Sequence, residues 1–293
     1  MRSRIIYGLL RTIERRLQRS WRAMRNGPAN ASHYIGGDVL LTRTRFNSLI
    51  YLDARDVSLT PSIALTGEWE PNIEREFRRC IRRGDTVVDI GANCGYYALA
   101  AASQTGPLGR VVAIEPNPRL AALLRKSVAA NNCRDYVSVH EGAVLDHETD
   151  IQLGFPADYL GSASIFISQT GWEETVTTVE AHARPLNAYL GASQRVDVMK
   201  IDTEGAEPLI WRGAEDVIQA NRDITIFMEF APSMVAATMA PADFLGQMRA
   251  AGFNVFEVPR HGGLLARADG ELLDQAWSEL VLTRLESPRG RAT

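Results

Sequence analysis

The stretch Thr86–Ala102, TVVDIGANCGYYALAAA, decides the fold. It opens as an apolar strand, passes through Asp-Ile-Gly-Ala-Asn-Cys-Gly, and becomes apolar again with helical character. Gly91 and Gly95 let the chain turn tightly and let other atoms approach the backbone. The helix that follows aims its first amides at the same place. A ligand beside the turn is the expected reason for this composition.

Working outward, the same beat repeats. RVVAIEP (110–116) reads as a strand and PRLAALLRKSVAAN (118–131) as a helix. VSVHEGAV (137–144) is a strand, followed by a polar, turn-rich connection over 146–195. VDVMKID (196–202) is a strand, and a helix follows over 206–221 with a break expected at Gly213. ITIFMEF (224–230) and PADFLGQMRAAGF (241–253) give another strand and helix. NVFEVP (254–259) and SELVLTRL (278–285) close the chain as strands. Alternating strands and helices imply right-handed crossovers and a mostly parallel sheet with helices on both faces. The fold class is α/β and Rossmann-like, with one antiparallel strand near the C-terminus.

The 293 residues are 45% hydrophobic and 23% charged, enough for one large core. The net charge of −3 argues against nucleic acid as a partner. Cys80, Cys94 and Cys133 have neither metal-ligand spacing nor an even count, so a reducing, cytoplasmic setting is expected. Residues 1–26 hold eight arginines against one acid, Glu14, with Ile6, Leu9, Leu10, Ile13, Leu17, Trp21 and Met24 at helical spacing. A basic amphipathic helix is expected there. It suits peripheral contact with anionic lipid at the inner membrane face, or packing on its own domain or a twin subunit; a transit peptide is a third option. Residues 27–66 read as a linker and small N-terminal subdomain, 67–285 as the main domain, and 286–293 as a disordered tail.

In an open parallel sheet, ligands lie beyond the carboxyl ends of the strands. A dinucleotide fingerprint starting at Gly91 would need glycine at Asn93 and Tyr96, and a phosphate-binding P-loop would need Gly-Lys-Ser/Thr; both fail. S-adenosyl-L-methionine remains. Asp89 suits its ammonium, the turn amides its carboxylate, and Asn93 either. Glu115, ending the second strand, suits a ribose 2′,3′-diol. Glu141, Gly142 and Ala143 end the third strand, where adenine would sit by position.

At this point the residues match a family. GDTVVDIGANCGYY (84–97), AIEPNP (113–118), VDVMKIDTEGAE (196–207) and LIWRGAEDVI (209–218) resemble the FkbM-type methyltransferases, class I enzymes dependent on S-adenosylmethionine. The resemblance covers about 65–260. It implies a sheet of about seven strands and O-methylation of a sugar, glycan or secondary-metabolite hydroxyl. It implies Asp89, Gly91, Asn93, Gly95 and Glu115 as cofactor residues, and Asp202 and Glu204 as active-site residues. Asn117, Glu141, Ala143 and Asp202 complete the expected cofactor set. The family often has Leu-Asp where this chain has PLNAYL (185–190), so Asn187 replaces an acid.

Lys200, Asp202 and Glu204 alternate and would share one face while the strand lasts. Asp202 or Glu204 could take the proton of an acceptor hydroxyl, and Glu229 on the neighbouring strand is a third candidate base. Glu207 reads as an ordinary first-turn acid. No metal is expected. His140 and His182 are weaker bases, and Tyr159, Trp172 and His182 in the long connection suit substrate contact. Two alternatives stand beside the methyltransferase: an NAD(P)-dependent oxidoreductase on a Rossmann fold, and a non-catalytic membrane-associated scaffold.

Overall fold

The computed structural model describes residues 31–156 and 176–289. The expected basic helix, Tyr159 and Trp172 lie outside the described residues. Strand β1 (His33–Tyr34), β2 (Val39–Arg43) and β3 (Leu49–Asp53) form a small antiparallel sheet, followed by helices α1 (Thr60–Thr66) and α2 (Pro71–Cys80). The alternating unit then runs β4 (Thr86–Ile90), α3 (Tyr96–Thr105), β5 (Arg110–Glu115), α4 (Pro118–Ala130), β6 (Val137–Glu141). Next come β7 (Ala143–Val144), β8 (Thr149–Pro156), β9 (Val176–Arg184), α5 (Asn187–Leu190), β10 (Val198–Ile201), α6 (Glu207–Gly213) and α7 (Glu215–Ala220). The chain ends with β11 (Thr225–Phe230), α8 (Pro232–Val235), α9 (Pro241–Ala250), β12 (Asn254–Glu257), β13 (Leu265–Ala266), α10 (Asp269–Leu273) and β14 (Ser278–Thr283).

The main sheet has eight strands in the order β13-β12-β14-β11-β10-β4-β5-β6. β4, β5, β6, β10 and β11 are parallel, as the alternation predicts. At the C-terminal end β14 is the expected antiparallel strand, and its place in the sheet is a further finding. β14 inserts between β11 and β12, antiparallel to both, and β13 adds a short edge strand. Both faces are apolar because both are covered. Val88, Ile90, Ile114, Met199, Ile201 and Met228 face one core with Ile210 and Trp211 of α6 and Phe244 of α9. Val87, Val111, Val198, Phe227 and Val281 face the other with Phe77 of α2 and Leu99 of α3.

The helix over 206–221 breaks at Gly213, as expected, and packing gives the reason: a Cβ there would lie 2.3 Å from the Leu145 carbonyl oxygen. The described parts of the long connection form strands. β8 and β9 pair antiparallel and β7 joins β9, making a second three-stranded sheet. Its weak apolar alternation hid it from a sequence reading. The N-terminal sheet docks on α4, where the Asn131 side chain exchanges hydrogen bonds with both backbone groups of Leu49 (2.9 and 2.7 Å) and Ser127 Oγ accepts from the Tyr51 amide (3.0 Å). Arg289, within the stretch expected as a tail, is nearly buried and pairs with Asp85 and Asp197, each at 3.2 Å. Among the described residues no helix is long and apolar enough to cross a membrane.

Candidate active site

A cleft opens at the carboxyl ends of β4, β5 and β10. Gly91, Asn93, Glu115, Gly142, Ala143, Asp202 and Glu204 line it, together with Ile151 and Leu153 of β8. The turn after β4 is left-handed at Gly91 (φ 79°), Asn93 (φ 51°) and Gly95 (φ 93°). The protein itself occupies the space that both glycines leave. A Cβ on Gly91 would lie 2.0 Å from the Asp202 carbonyl oxygen, and one on Gly95 would lie 2.0 Å from Leu124 Cδ1. The turn amides are also committed. Those of Gly91 and Ala92 donate to the Ile114 carbonyl (3.0 Å each), and that of Gly95 donates to the Ala92 carbonyl (2.8 Å). The Asn93 amide donates to Glu115 Oε2 (2.7 Å) and the Cys94 amide to Asn93 Oδ1 (2.6 Å). The expected donation from these amides to a cofactor carboxylate is thus replaced by bonds that fix the turn.

Glu115 is 4% exposed and spans two loops. Oε2 takes the Asn93 amide and Oε1 takes the Asn117 amide at 2.8 Å. Each oxygen keeps a lone pair, so a carboxylate on the cleft wall can accept two more hydrogen bonds. Burial pushes its pKa up to about 7 against the two amide hydrogen bonds. Asn117 is occupied elsewhere: its side chain caps α4, accepting from the amides of Arg119 and Leu120. Glu141 is exposed, pairs with Arg125 (3.2 Å) and does not line the cleft. Ala143 does, and the Tyr189 hydroxyl donates to its carbonyl (2.8 Å).

Asp89 lies below the turn, 1% exposed, opposite Lys200 in the β4–β10 register. Burial raises its pKa to about 7, the Lys200 charge opposing. Its Oδ2 has no hydrogen-bond partner. Lys200 is fully buried and donates to Asp202 Oδ2 at 2.8 Å. It also lies 3.6 Å from Glu279 Oε1 and 4.6 Å from the Tyr97 ring centre. Burial works against its charge, but Asp202, Glu279 and Glu70 outweigh that and hold its pKa well above the ordinary lysine value.

Asp202 is half-buried on the cleft wall, and Glu204 beside it is held at φ 53°. Left-handed backbone at a non-glycine residue costs about 1–3 kcal/mol, so the surroundings must impose it. Glu207 does so. Rather than an ordinary first-turn acid, it is 1% exposed and accepts from Thr203 N (3.0 Å), Thr203 Oγ1 (2.9 Å) and Gly205 N (3.0 Å). Glu229 does not line the cleft; the Trp277 indole donates to its Oε1 (2.5 Å) and its Oε2 is buried without a partner. His140 packs edge-on to Tyr189, and His182 sits exposed between Asp150 and Glu148, both away from the cleft lining. Glu279, Trp277 and the β8 leucine and isoleucine had no sequence motif to announce them.

The donor set fits S-adenosyl-L-methionine: an acid on the wall with spare acceptor capacity, an unpartnered buried carboxylate oxygen behind the turn, and an excess of acids suited to a cationic ligand. The family that the chain matches agrees. The family model of the methyltransferase FkbM domain matches residues 89–255, more than half of the chain. An arginine N(omega)-methyltransferase of Streptomyces achromogenes subsp. streptozoticus is 40% identical over 86 residues, 29% of this chain and 23% of that protein. Protein-L-isoaspartate O-methyltransferase 1 of Archaeoglobus fulgidus is 32% identical over 68 residues, 23% of this chain and 32% of that protein. The chain spans a third or less of the length of these two relatives. Among solved structures, the FkbM methyltransferase of Methylobacillus flagellatus KT has a TM-score of 0.43 at 14% identity, over 76% of this chain and 52% of that one. M. jannaschii TYW2 in complex with AdoMet has 0.44 at 14% identity, over 87% and 91%. The family match decides against the nicotinamide alternative and makes S-adenosyl-L-methionine the cofactor. From the glycine turn to the far strands of the sheet, the chain belongs to the FkbM-domain methyltransferases.

Proposed function

We propose that this protein transfers a methyl group from S-adenosyl-L-methionine to a hydroxyl of a sugar, glycan or secondary metabolite. The observation that supports it best is Asp202: a carboxylate on the cleft wall, one strand from the cofactor turn, steered by the buried Lys200 ammonium. The bound cofactor supplies an electrophilic methyl group and a neutral thioether leaving group. Glu115 would hold the ribose diol, with Asp89 adding negative charge behind the turn. Asp202 accepts the acceptor O–H as a hydrogen bond and takes its proton as the new C–O bond forms; one general base contributes roughly 10²–10⁴-fold. Glu204 stands next to it as a second acceptor. Leu145, Ile151 and Leu153 line the apolar side of the cleft and keep water from the reacting atoms.

A methyl-transfer screen against free and lipid-linked sugars, read by mass spectrometry, tests the reading. Asp202→Asn should lower kcat by about 10² or more while cofactor affinity, measured by calorimetry, stays within about threefold. Products methylated on nitrogen, or an unaltered kcat in Asp202→Asn, would refute it. The same screen tests the scaffold alternative, which expects no turnover. Residues 1–26 carry a separate proposal, contact with anionic lipid; deleting them should abolish co-sedimentation with phosphatidylserine vesicles and leave cofactor affinity unchanged.

A further inference from the structure

We infer that Arg110, His140 and Arg184 form a second ligand site, which takes a phosphate group at the β6 edge of the main sheet. None of the three lines the cleft, and the inference does not depend on the methyl-transfer reading.

The strand register gathers the residues. β6 is the terminal strand of the main sheet, and its His140 pairs with Ile114 of β5. Alternation therefore puts Arg110, the first residue of β5, on the same face as Val112, Ile114 and His140. That face packs on Tyr189 and Leu190 of α5. Three contacts meet there. The His140 ring lies edge-on to Tyr189, with 5.5 Å between centres. The guanidinium of Arg184, the last residue of β9, stands 4.6 Å from the centre of the same ring. Arg110 Nη1 donates to the Leu190 carbonyl at 2.7 Å. All three residues are half-buried, so the cluster keeps contact with solvent.

The cluster is positive and uncompensated. Among the described residues, no carboxylate pairs with Arg110 or Arg184. Glu141 follows His140 in the chain but projects to the opposite face, where it pairs with Arg125 of α4 (3.2 Å). Two polar atoms of the cluster, Arg184 Nε and His140 Nε2, are buried with no hydrogen-bond partner. A buried N–H left without an acceptor is destabilising, so both atoms favour a ligand that brings acceptors. Burial, and then the charges of Arg110, Arg184 and Arg125, hold the His140 pKa below the ordinary histidine value. An oxyanion reverses each of these terms. It accepts from Arg184 Nε, neutralises the guanidinium groups and lets His140 take up a proton, which makes both ring nitrogens donors. The donors arrive from three strands, β5, β6 and β9. That spread suits the several oxygens of a tetrahedral phosphate better than the two of a planar carboxylate.

The test is calorimetry on the full chain at fixed ionic strength in chloride, with inorganic phosphate, glycerol 1-phosphate, sulfate and acetate as probes. The wild type should bind the three tetrahedral anions in the millimolar range, and acetate about tenfold more weakly. Arg184→Gln and Arg110→Gln should each weaken sulfate binding about tenfold or more, and Arg184→Lys, which keeps the charge, by about threefold. If Arg184→Gln does not fold, Arg110→Gln carries the test. Sulfate keeps both charges across the range used, so its pH dependence reports the protein. Its affinity should rise about three- to tenfold from pH 8 to 6 as His140 gains a proton, and His140→Asn should flatten that rise. Tighter binding of glycerol 1-phosphate than of inorganic phosphate would identify a phosphomonoester as the ligand, and the reverse order a free ion; either upholds the site. No binding of sulfate or phosphate, binding that survives both glutamine variants, or acetate bound as tightly as sulfate would overturn it.

Discussion

The two halves of the central sheet place their functional groups by different means. On β4, β5 and β6 the cleft is shaped mainly by backbone: three left-handed residues, two glycines closed upon by Asp202 and Leu124, and one carboxylate bridging two loops. On β10, β11 and β14 it is shaped by side-chain charge: a buried lysine among Asp202, Glu279 and Asp89, with Glu229 and Trp277 at the rim. The first half tolerates few residue types. The second uses common ones whose meaning depends on which strands are neighbours.

The largest effect should come from Gly91→Val. It puts a β-branched residue at φ 79° with its Cβ against a backbone oxygen that cannot swing away. A loss of about 3 kcal/mol or more is expected, read as a shift in urea midpoint or as failure to fold. Gly95→Ala meets only the end of the Leu124 side chain and should cost about 1–2 kcal/mol; equal losses would erase the distinction between the two glycines.

On the charged half, Lys200→Met removes the cation from a buried cluster and should cost about 3–5 kcal/mol at pH 8. The deficit should shrink toward pH 5, where Asp89 and Glu279 are protonated and need no partner, and denaturation at both pH values measures it. A deficit independent of pH would mean that Lys200 contributes packing rather than charge.

Glu115→Gln should weaken cofactor binding about 10- to 100-fold and also lower the melting temperature, because its NH2 would face one of the two backbone amides that the carboxylate accepts. In the wild type, Glu115 has a pKa of about 7 and must ionise to accept two hydroxyls, so calorimetric affinity should rise with pH through 7 and then level. The variant should have a flatter profile. The smallest effect is on stability without cofactor. Asp89 and Glu115, at about 7, and Glu279, at about 8, lie above their unfolded values. Their contribution is complete below about pH 4 and is lost as pH rises to 7–8, so the melting temperature should fall by a few degrees from pH 5 to 8.

The comparison also explains what the sequence could say. Asp89, Gly91, Gly95 and Glu115 stand out because tight turns and strand ends restrict residue choice locally. At Gly91 the structure adds a second reason, since a side chain there would also meet the Asp202 backbone. Asn117 looked like part of the binding motif because a helix cap and a ligand contact ask for the same amide. Trp277 and Glu279 were invisible because their place depends on β14 entering the sheet out of chain order, which no local pattern encodes. The β7–β9 sheet escaped for a different reason, its strands lacking a clear apolar alternation.

That out-of-order strand has a consequence for how the protein is made. β12 has no neighbour toward the sheet centre except β14, so a chain still on the ribosome can lay down β4 to β11 but must leave β12 waiting. Glu279 reaches Lys200 only after β12 and the segment behind it have been made. The half shaped by the glycine turn is therefore built early, and the half organised by the buried lysine is assembled after it.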